Sequence, residues 1–274
     1  MKNMLRTEKT GTSMATGSLE VRGVRLAYSD EGSGPIVIYA HGLTQSRAAD
    51  HALGLVDWAA LTGAGFRLIS YDARGHGESD GTPVADTYRW EALAEDLLAV
   101  MDHFSPGEPV RAAGISMGTG TILNALAKAP ERFATVMLGA PSTAWETRAA
   151  QRVQYEHFAR LVEQMSPSRF AGMLAQAPIP PIFEHVPGYP GVPSPAYELL
   201  PTVFRGAGAS DLPSPQQLAG VRVPALILAW ATDPAHPIAT AERLAKILPA
   251  STLHASDTTE DISTWAARAA AFFA

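Results

Sequence analysis

Short apolar runs alternate with amphipathic stretches along most of this chain, and that alternation restricts its fold more than any other feature. Ile36 to Ala40, Phe66 to Tyr71, Val110 to Ala113, Phe133 to Gly139 and Val223 to Trp230 are dominated by apolar residues, as strands buried on both faces must be. Between them, Thr87 to Phe104 sets Trp90, Leu93, Ala94, Leu97, Leu98 and Met101 at helical spacing. Thr119 to Ala129 does the same with Ile122, Leu123, Leu126 and Ala129. Strands alternating with helices predict a mainly parallel sheet covered on both faces. Sites in such sheets form beyond the carboxyl ends of the strands. The segments to search are therefore His41-Gly42-Leu43, Asp72 to Ser79, the loop at Ser116, Pro141-Ser142, Thr232 to Pro237, and Ser256 onward.

The rest of the chain completes this frame. Leu19 to Val24 and Arg25 to Ser29 predict a hairpin around Gly23. A helix is expected over Ser46 to Leu61 and another over Thr240 to Leu248, then a short strand over Ser251 to Ala255. Ile262, Trp265, Ala266, Ala269, Phe272 and Phe273 mark a closing helix. The rhythm breaks between Ser142 and Pro215. Glu146 to Met165 reads as helical, and seven prolines fall between Pro178 and Pro195. We expect residues 142–215 to be a lid inserted into one core formed by residues 18–141 and 216–274. Residues 1–17, polar and without an apolar h-region, are expected to be a disordered tail rather than a signal peptide.

Composition narrows the partners. The net charge is −6 with no extended basic run, which argues against nucleic acid and an anionic membrane surface. No stretch of about 18 apolar residues is present, so a cytoplasmic protein is expected. There is no cysteine, which excludes disulfides and thiolate chemistry. No clustered His/Asp spacing suggests a metal, and Gly118-Thr119-Gly120 lacks the rest of a dinucleotide fingerprint, so no cofactor is expected.

The densest chemical signal is Gly114-Ile115-Ser116-Met117-Gly118, a G-x-S-x-G between a strand and a helix. Such a turn pushes a serine hydroxyl forward, and small residues two before and two after leave room for it. The amides of the following helix then face charge that develops on whatever the serine attacks.

Together these motifs resemble the α/β-hydrolase superfamily over Leu19 to Ala274 apart from the insertion. His41-Gly42 is similar to the family's oxyanion loop, Asp72-Ala73-Arg74-Gly75-His76-Gly77-Glu78-Ser79 to its D-x-R-G-x-G-x-S loop, and Gly114 to Gly118 to its nucleophile elbow. The resemblance implies an eight-stranded-type sheet. It also implies Ser116 as nucleophile, the amides of Leu43 and Met117 as oxyanion donors, and structural roles for His41 and His76. Asp233 follows the strand that usually delivers the acid.

The base departs from the family pattern, in which a Gly-His pair follows the last strand. Here that segment reads Leu253-His254-Ala255-Ser256-Asp257, with no such pair. His254 lies within the strand pattern. His236, in Thr232-Asp233-Pro234-Ala235-His236-Pro237, is the other candidate, with Asp233 or Asp257 to orient it. A third possibility is that no base exists.

The insertion carries Trp145, Tyr155, Phe158, Met165, Phe170, Met173, Phe183, Tyr189, Tyr197 and Phe204, which would face an apolar substrate or pack the lid onto the body. The leading expectation is a serine hydrolase of a small or medium carboxylic ester or lactone. The alternatives are cofactor-free carbon–carbon hydrolysis, lyase or oxygenase-type base chemistry, and a non-catalytic ligand-binding homologue.

Overall fold

The computed structural model of the protein describes residues 14–274. Strand β1 (Met14–Val21) turns at Arg22-Gly23 into β2 (Val24–Gly32). Strands β3 (Ile36–Ala40), β4 (Arg67–Tyr71), β5 (Val110–Ile115), β6 (Phe133–Gly139), β7 (Ala225–Trp230) and β8 (Ser251–Ser256) follow. They form one eight-stranded sheet in the order β1-β2-β4-β3-β5-β6-β7-β8. The β1–β2 and β2–β4 pairs are antiparallel and the remaining pairs parallel. This is the mainly parallel sheet expected from the strand–helix rhythm, in the α/β-hydrolase arrangement that the resemblance implies.

Helices α1 (Arg47–Leu53) and α2 (Ala59–Gly63) follow β3. Helix α3 (Trp90–Phe104) follows β4, and α4 (Met117–Lys128) follows β5. Helices α5 (Arg148–Gln164), α6 (Pro167–Leu174), α7 (Leu200–Gly208) and α8 (Pro215–Ala219) lie between β6 and β7. Helix α9 (Ile238–Ile247) joins β7 to β8, and α10 (Thr259–Ser263) and α11 (Trp265–Phe273) follow β8.

The two-residue period of the strands feeds two cores. Ile38 and Ala40 of β3 enter a core with α3, α4 and α9, whereas Val37 and Tyr39 enter the opposite core with α2 and α11. Trp90, Leu97 and Met101 on one face and Trp265 and Phe273 on the other are almost completely buried. Each such side chain contributes about 1.5–3 kcal/mol of transfer free energy.

Three sequence expectations are corrected. The helix expected over Ser46 to Leu61 is two helices, because Gly54 adopts φ 63° and ends α1 with its amide on Asp50 O. Residues 14–17, expected in the tail, pair with β2 from Met14 opposite Glu31. The rest of that tail lies outside the described residues. The final strand also runs one residue further, to Ser256.

Residues 142–215 form no strand and build a small core of their own from Ala159, Val162, Phe170, Leu200 and Phe204. Buried Arg148 ties them to the body. Its guanidinium donates to Ser210 O and Ala207 O and stacks 4.3 Å over the Trp90 ring. Among the described residues no helix is long and apolar enough to cross a membrane.

Candidate active site

Ser116 sits between β5 and α4 with φ 55° and ψ −109°, a conformation that costs about 1–3 kcal/mol for a side-chain-bearing residue. The surroundings leave it no alternative. Ser116 N donates to Gly139 O, and Thr119 Oγ1 lies 2.6 Å from the same carbonyl and 3.0 Å from Gly114 O. The flanking glycines are obligatory. A Cβ on Gly118 would lie 2.0 Å from Ala40 O, and one on Gly114 would lie 2.6 Å from the Gly118 carbonyl carbon.

The loop after β7 brings two further groups to this serine. His236 Nε2 lies 2.7 Å from Ser116 Oγ, and His236 Nδ1 lies 2.7 Å from Asp233 Oδ2. Asp233 also accepts from Trp230 Nε1 at 3.0 Å and from Ala235 N at 3.0 Å. Burial pushes the Asp233 carboxyl up. The bond and charge of His236 and the two N–H donors outweigh burial and hold it below the usual carboxylate range. An ionised Asp233 fixes the proton on Nδ1 and leaves the Nε2 lone pair for the serine hydroxyl. Trp230 further restrains the imidazole by an edge-to-face contact, with ring centroids 5.3 Å apart.

The loop after β3 approaches from the other side. Strands β3 and β5 are neighbours, with Ala40 opposite Gly114, so their ends deliver Leu43 and Ser116 side by side. Among the described residues, no protein acceptor takes the amides of Leu43 and Met117. His41 holds this loop: its Nε2 accepts from Ala73 N at 2.9 Å, so Nδ1 carries the proton and donates to Gly42 O. His76 is buried with Nδ1 donating to Arg74 O, and burial first, then the charge of His41, lowers its pKa to about 3. Both histidines are fixed within loops and not turned to Ser116.

Ser116 and His236 open into a chamber of about 190 Å³. Leu43, Leu53, Leu55, Val56, Trp58, Ile115, Tyr189 and Trp230 make most of its wall. A larger cavity of about 700 Å³ lies beside it but contains neither Ser116 nor His236, so size alone would misplace the chemistry. Among the described residues no group of three or more His, Asp or Glu is placed to hold a metal ion.

Other candidates fall elsewhere. His254 Nε2 is 2.6 Å from Asp261 Oδ2, in an ion-pair cluster with Arg268. A strand position fixes it there, so it is not the serine's neighbour. Asp257 is exposed in the turn after β8 and touches neither Ser116 nor His236. Of the aromatic residues of the insertion, Tyr189 lines the chamber; Phe183 stacks behind it, and Tyr155, Phe158, Phe170, Tyr197 and Phe204 pack among themselves.

Trp230, Asp50, Val56 and Trp58 were not anticipated as site residues. The signal available for Val56 and Trp58 was Gly54, which interrupts the helical pattern and bends the following residues over the chamber.

Comparison with known proteins bears on the family and the fold. Residues 35–177 match the family described as alpha/beta hydrolase fold. The bovine (Bos taurus) lysophosphatidylserine lipase ABHD12 is 35% identical over 101 residues, which cover 36% of this chain and 24% of the lipase. The human (Homo sapiens) protein ABHD12B is 36% identical over 115 residues, covering 40% of this chain and 30% of that protein. The matched stretch thus spans less than a third of either relative. An esterase from Thermogutta terrifontis superposes with a TM-score of 0.73 at 22% identity, covering 96% of both chains, a likeness that speaks to the fold.

Proposed function

The chain belongs to the alpha/beta hydrolase family, and from that premise we propose that it is a serine hydrolase of small, largely apolar carboxylic esters or lactones. The observation that carries this reading is the run of two 2.7 Å contacts from Ser116 Oγ through His236 to Asp233. Ser116 Oγ attacks the substrate carbonyl carbon as its proton passes to His236 Nε2. The amides of Leu43 and Met117 hold the oxygen that becomes negative. The tetrahedral centre collapses, the bond to the leaving alkoxide breaks, and His236 returns the proton to it. Water then attacks the acyl-enzyme, giving its proton to His236, and the acid and free Ser116 are released. Asp233 stabilises the imidazolium formed in each half. The relay needs no cofactor. The apolar wall and the volume of about 190 Å³ favour a short acyl group.

Hydrolysis of p-nitrophenyl acetate and butyrate, with fluorophosphonate labelling, tests the reading. Turnover with labelling at Ser116, both abolished in Ser116→Ala, is expected. Turnover retained in Ser116→Ala but lost in His236→Ala would replace it with base chemistry. Binding of esters without turnover or labelling would replace it with a non-catalytic role.

A further inference from the structure

One charged group of the chamber has no part in the proposed relay. Among the described residues Asp50 is the only carboxyl that lines it, beside Leu53, Leu55, Val56 and Trp58 and the polar Thr44 and Gln45, and it also borders the larger cavity. Tyr39, itself buried, donates its phenol O–H to Asp50 Oδ2 at 2.5 Å. The Trp58 ring packs on Tyr39 with centroids 4.2 Å apart, so the phenol cannot swing away. Among the described residues nothing donates to Asp50 Oδ1, and no Lys or Arg pairs with the carboxyl: Arg47, which lines the larger cavity with it, bonds Asp72 and Glu78 instead. A half-buried carboxyl with one oxygen anchored and the other free costs stability unless something uses it.

We propose that Asp50, held by Tyr39, is a specificity-determining residue whose free oxygen binds a hydroxyl group on the substrate, so that the preferred esters are short and hydroxylated. The inference rests on the serine-hydrolase reading for the reaction, and on the chamber alone for the binding. Burial pushes the Asp50 carboxyl above its usual range, more strongly than His41 and Tyr39 draw it down. A hydroxyl both donates and accepts, so it pairs with Asp50 in either protonation state. An ammonium group pairs with the ionised form alone, and an apolar wall opposes its desolvation. A site that holds a substrate hydroxyl discriminates against the analogue lacking it, because the carboxyl is then left without a partner.

The test compares methyl 3-hydroxybutyrate and methyl 4-hydroxybutyrate with methyl butyrate in the intact protein. The wild type is expected to favour at least one hydroxy ester by about tenfold or more in kcat/KM, mainly through KM. Asp50→Leu should bring the ratio to about one, and Asp50→Asn, which still offers an acceptor, should keep part of it. Equal use of all three esters by the wild type would overturn the assignment, as would an unchanged ratio in Asp50→Leu. Preference for methyl 3-aminobutyrate over every hydroxy ester would overturn it in favour of a cation site. Should no ester be turned over and Ser116 not be labelled, the hydrolase reading falls. Calorimetric titration of the same esters then decides the Asp50 assignment: tighter binding of a hydroxy ester that Asp50→Leu abolishes supports it, and equal binding ends it.

Discussion

Trp230 Nε1 donates to Asp233 Oδ2, the same oxygen that meets His236 Nδ1. The indole cannot turn away, since it stacks on Trp265 at 5.3 Å and meets Phe183 edge-on. A strand residue thus aims the carboxylate of the proposed relay. Trp230→Phe keeps an aromatic ring and removes the donor. We expect kcat/KM on p-nitrophenyl butyrate to fall about tenfold to a hundredfold, the scale of one hydrogen bond to a charged group. A wild-type value would show that the Ala235 amide and His236 suffice to hold Asp233.

Asp233→Asn should act more severely. An amide can offer its NH₂ to Nδ1, which stabilises the tautomer with the proton on Nε2, the wrong nitrogen for a base. A loss of about 10³–10⁴ in kcat is expected. His254→Ala should stay within about twofold of wild type, because its partner is Asp261 and not the serine. A hundredfold loss in His254→Ala, with Asp233→Asn near wild type, would reverse the two assignments.

The elbow makes a prediction about stability. Gly118→Ala would place a methyl group 2.0 Å from Ala40 O, against backbone at the end of a central strand. A destabilisation above about 4 kcal/mol, or failure to accumulate folded protein, is expected. Gly172→Ala is the control. Nothing lies within 4 Å of a Cβ there, and the residue is inside α6, so stability should rise by about 0.5–1 kcal/mol. Denaturant melts of both variants check the sign.

His76 predicts a pH dependence. Unfolded, the imidazole takes a proton near its ordinary value of about 6.5; folded, it resists until about 3. Protons therefore bind the unfolded chain more readily throughout that window. The stability due to neutral His76 is complete above the unfolded value and is lost as pH falls toward 3, by on the order of 1 kcal/mol per pH unit. Denaturant melts from pH 7 to pH 4 should show this slope, and His76→Gln should flatten it. An equal slope in the variant would assign the acid sensitivity to other groups.

The frame and the serine were legible because each rests on local rules. The continuous apolar run of Ile36 to Ala40 is legible from the chain alone, and so is the need for small residues at Gly114 and Gly118. The proximity of His236 to Ser116 was only an expectation, since it joins residues 120 positions apart through the packing of β5, β6 and β7. What the chain concealed was the chamber wall. Periodicity across Ser46 to Leu61 favours one helix, and only the left-handed conformation of Gly54 turns Val56 and Trp58 over the cavity. The aromatic residues of the insertion left two readings open for a related reason. Apolar side chains at helical spacing do not reveal whether they meet a ligand or one another, and Phe170 and Phe204 meet one another's neighbours.

Asp233 and His236 lie three positions apart in one loop, and this has a consequence for how the molecule can be changed. Where acid and base come from different strand ends, the distance between them depends on every element in between. Here a single short segment carries the proposed acid and base, and their spacing is set by its own hydrogen bonds, from His236 N to Asp233 O and from Ala235 N to Asp233 Oδ1. The corner at Asp257 and Thr258 is exposed and lies outside the proposed relay. Insertions therefore belong at Asp257, ahead of Thr258, whose side chain caps α10 through Asp261 N, and a segment moved to another scaffold must run from Trp230 to His236.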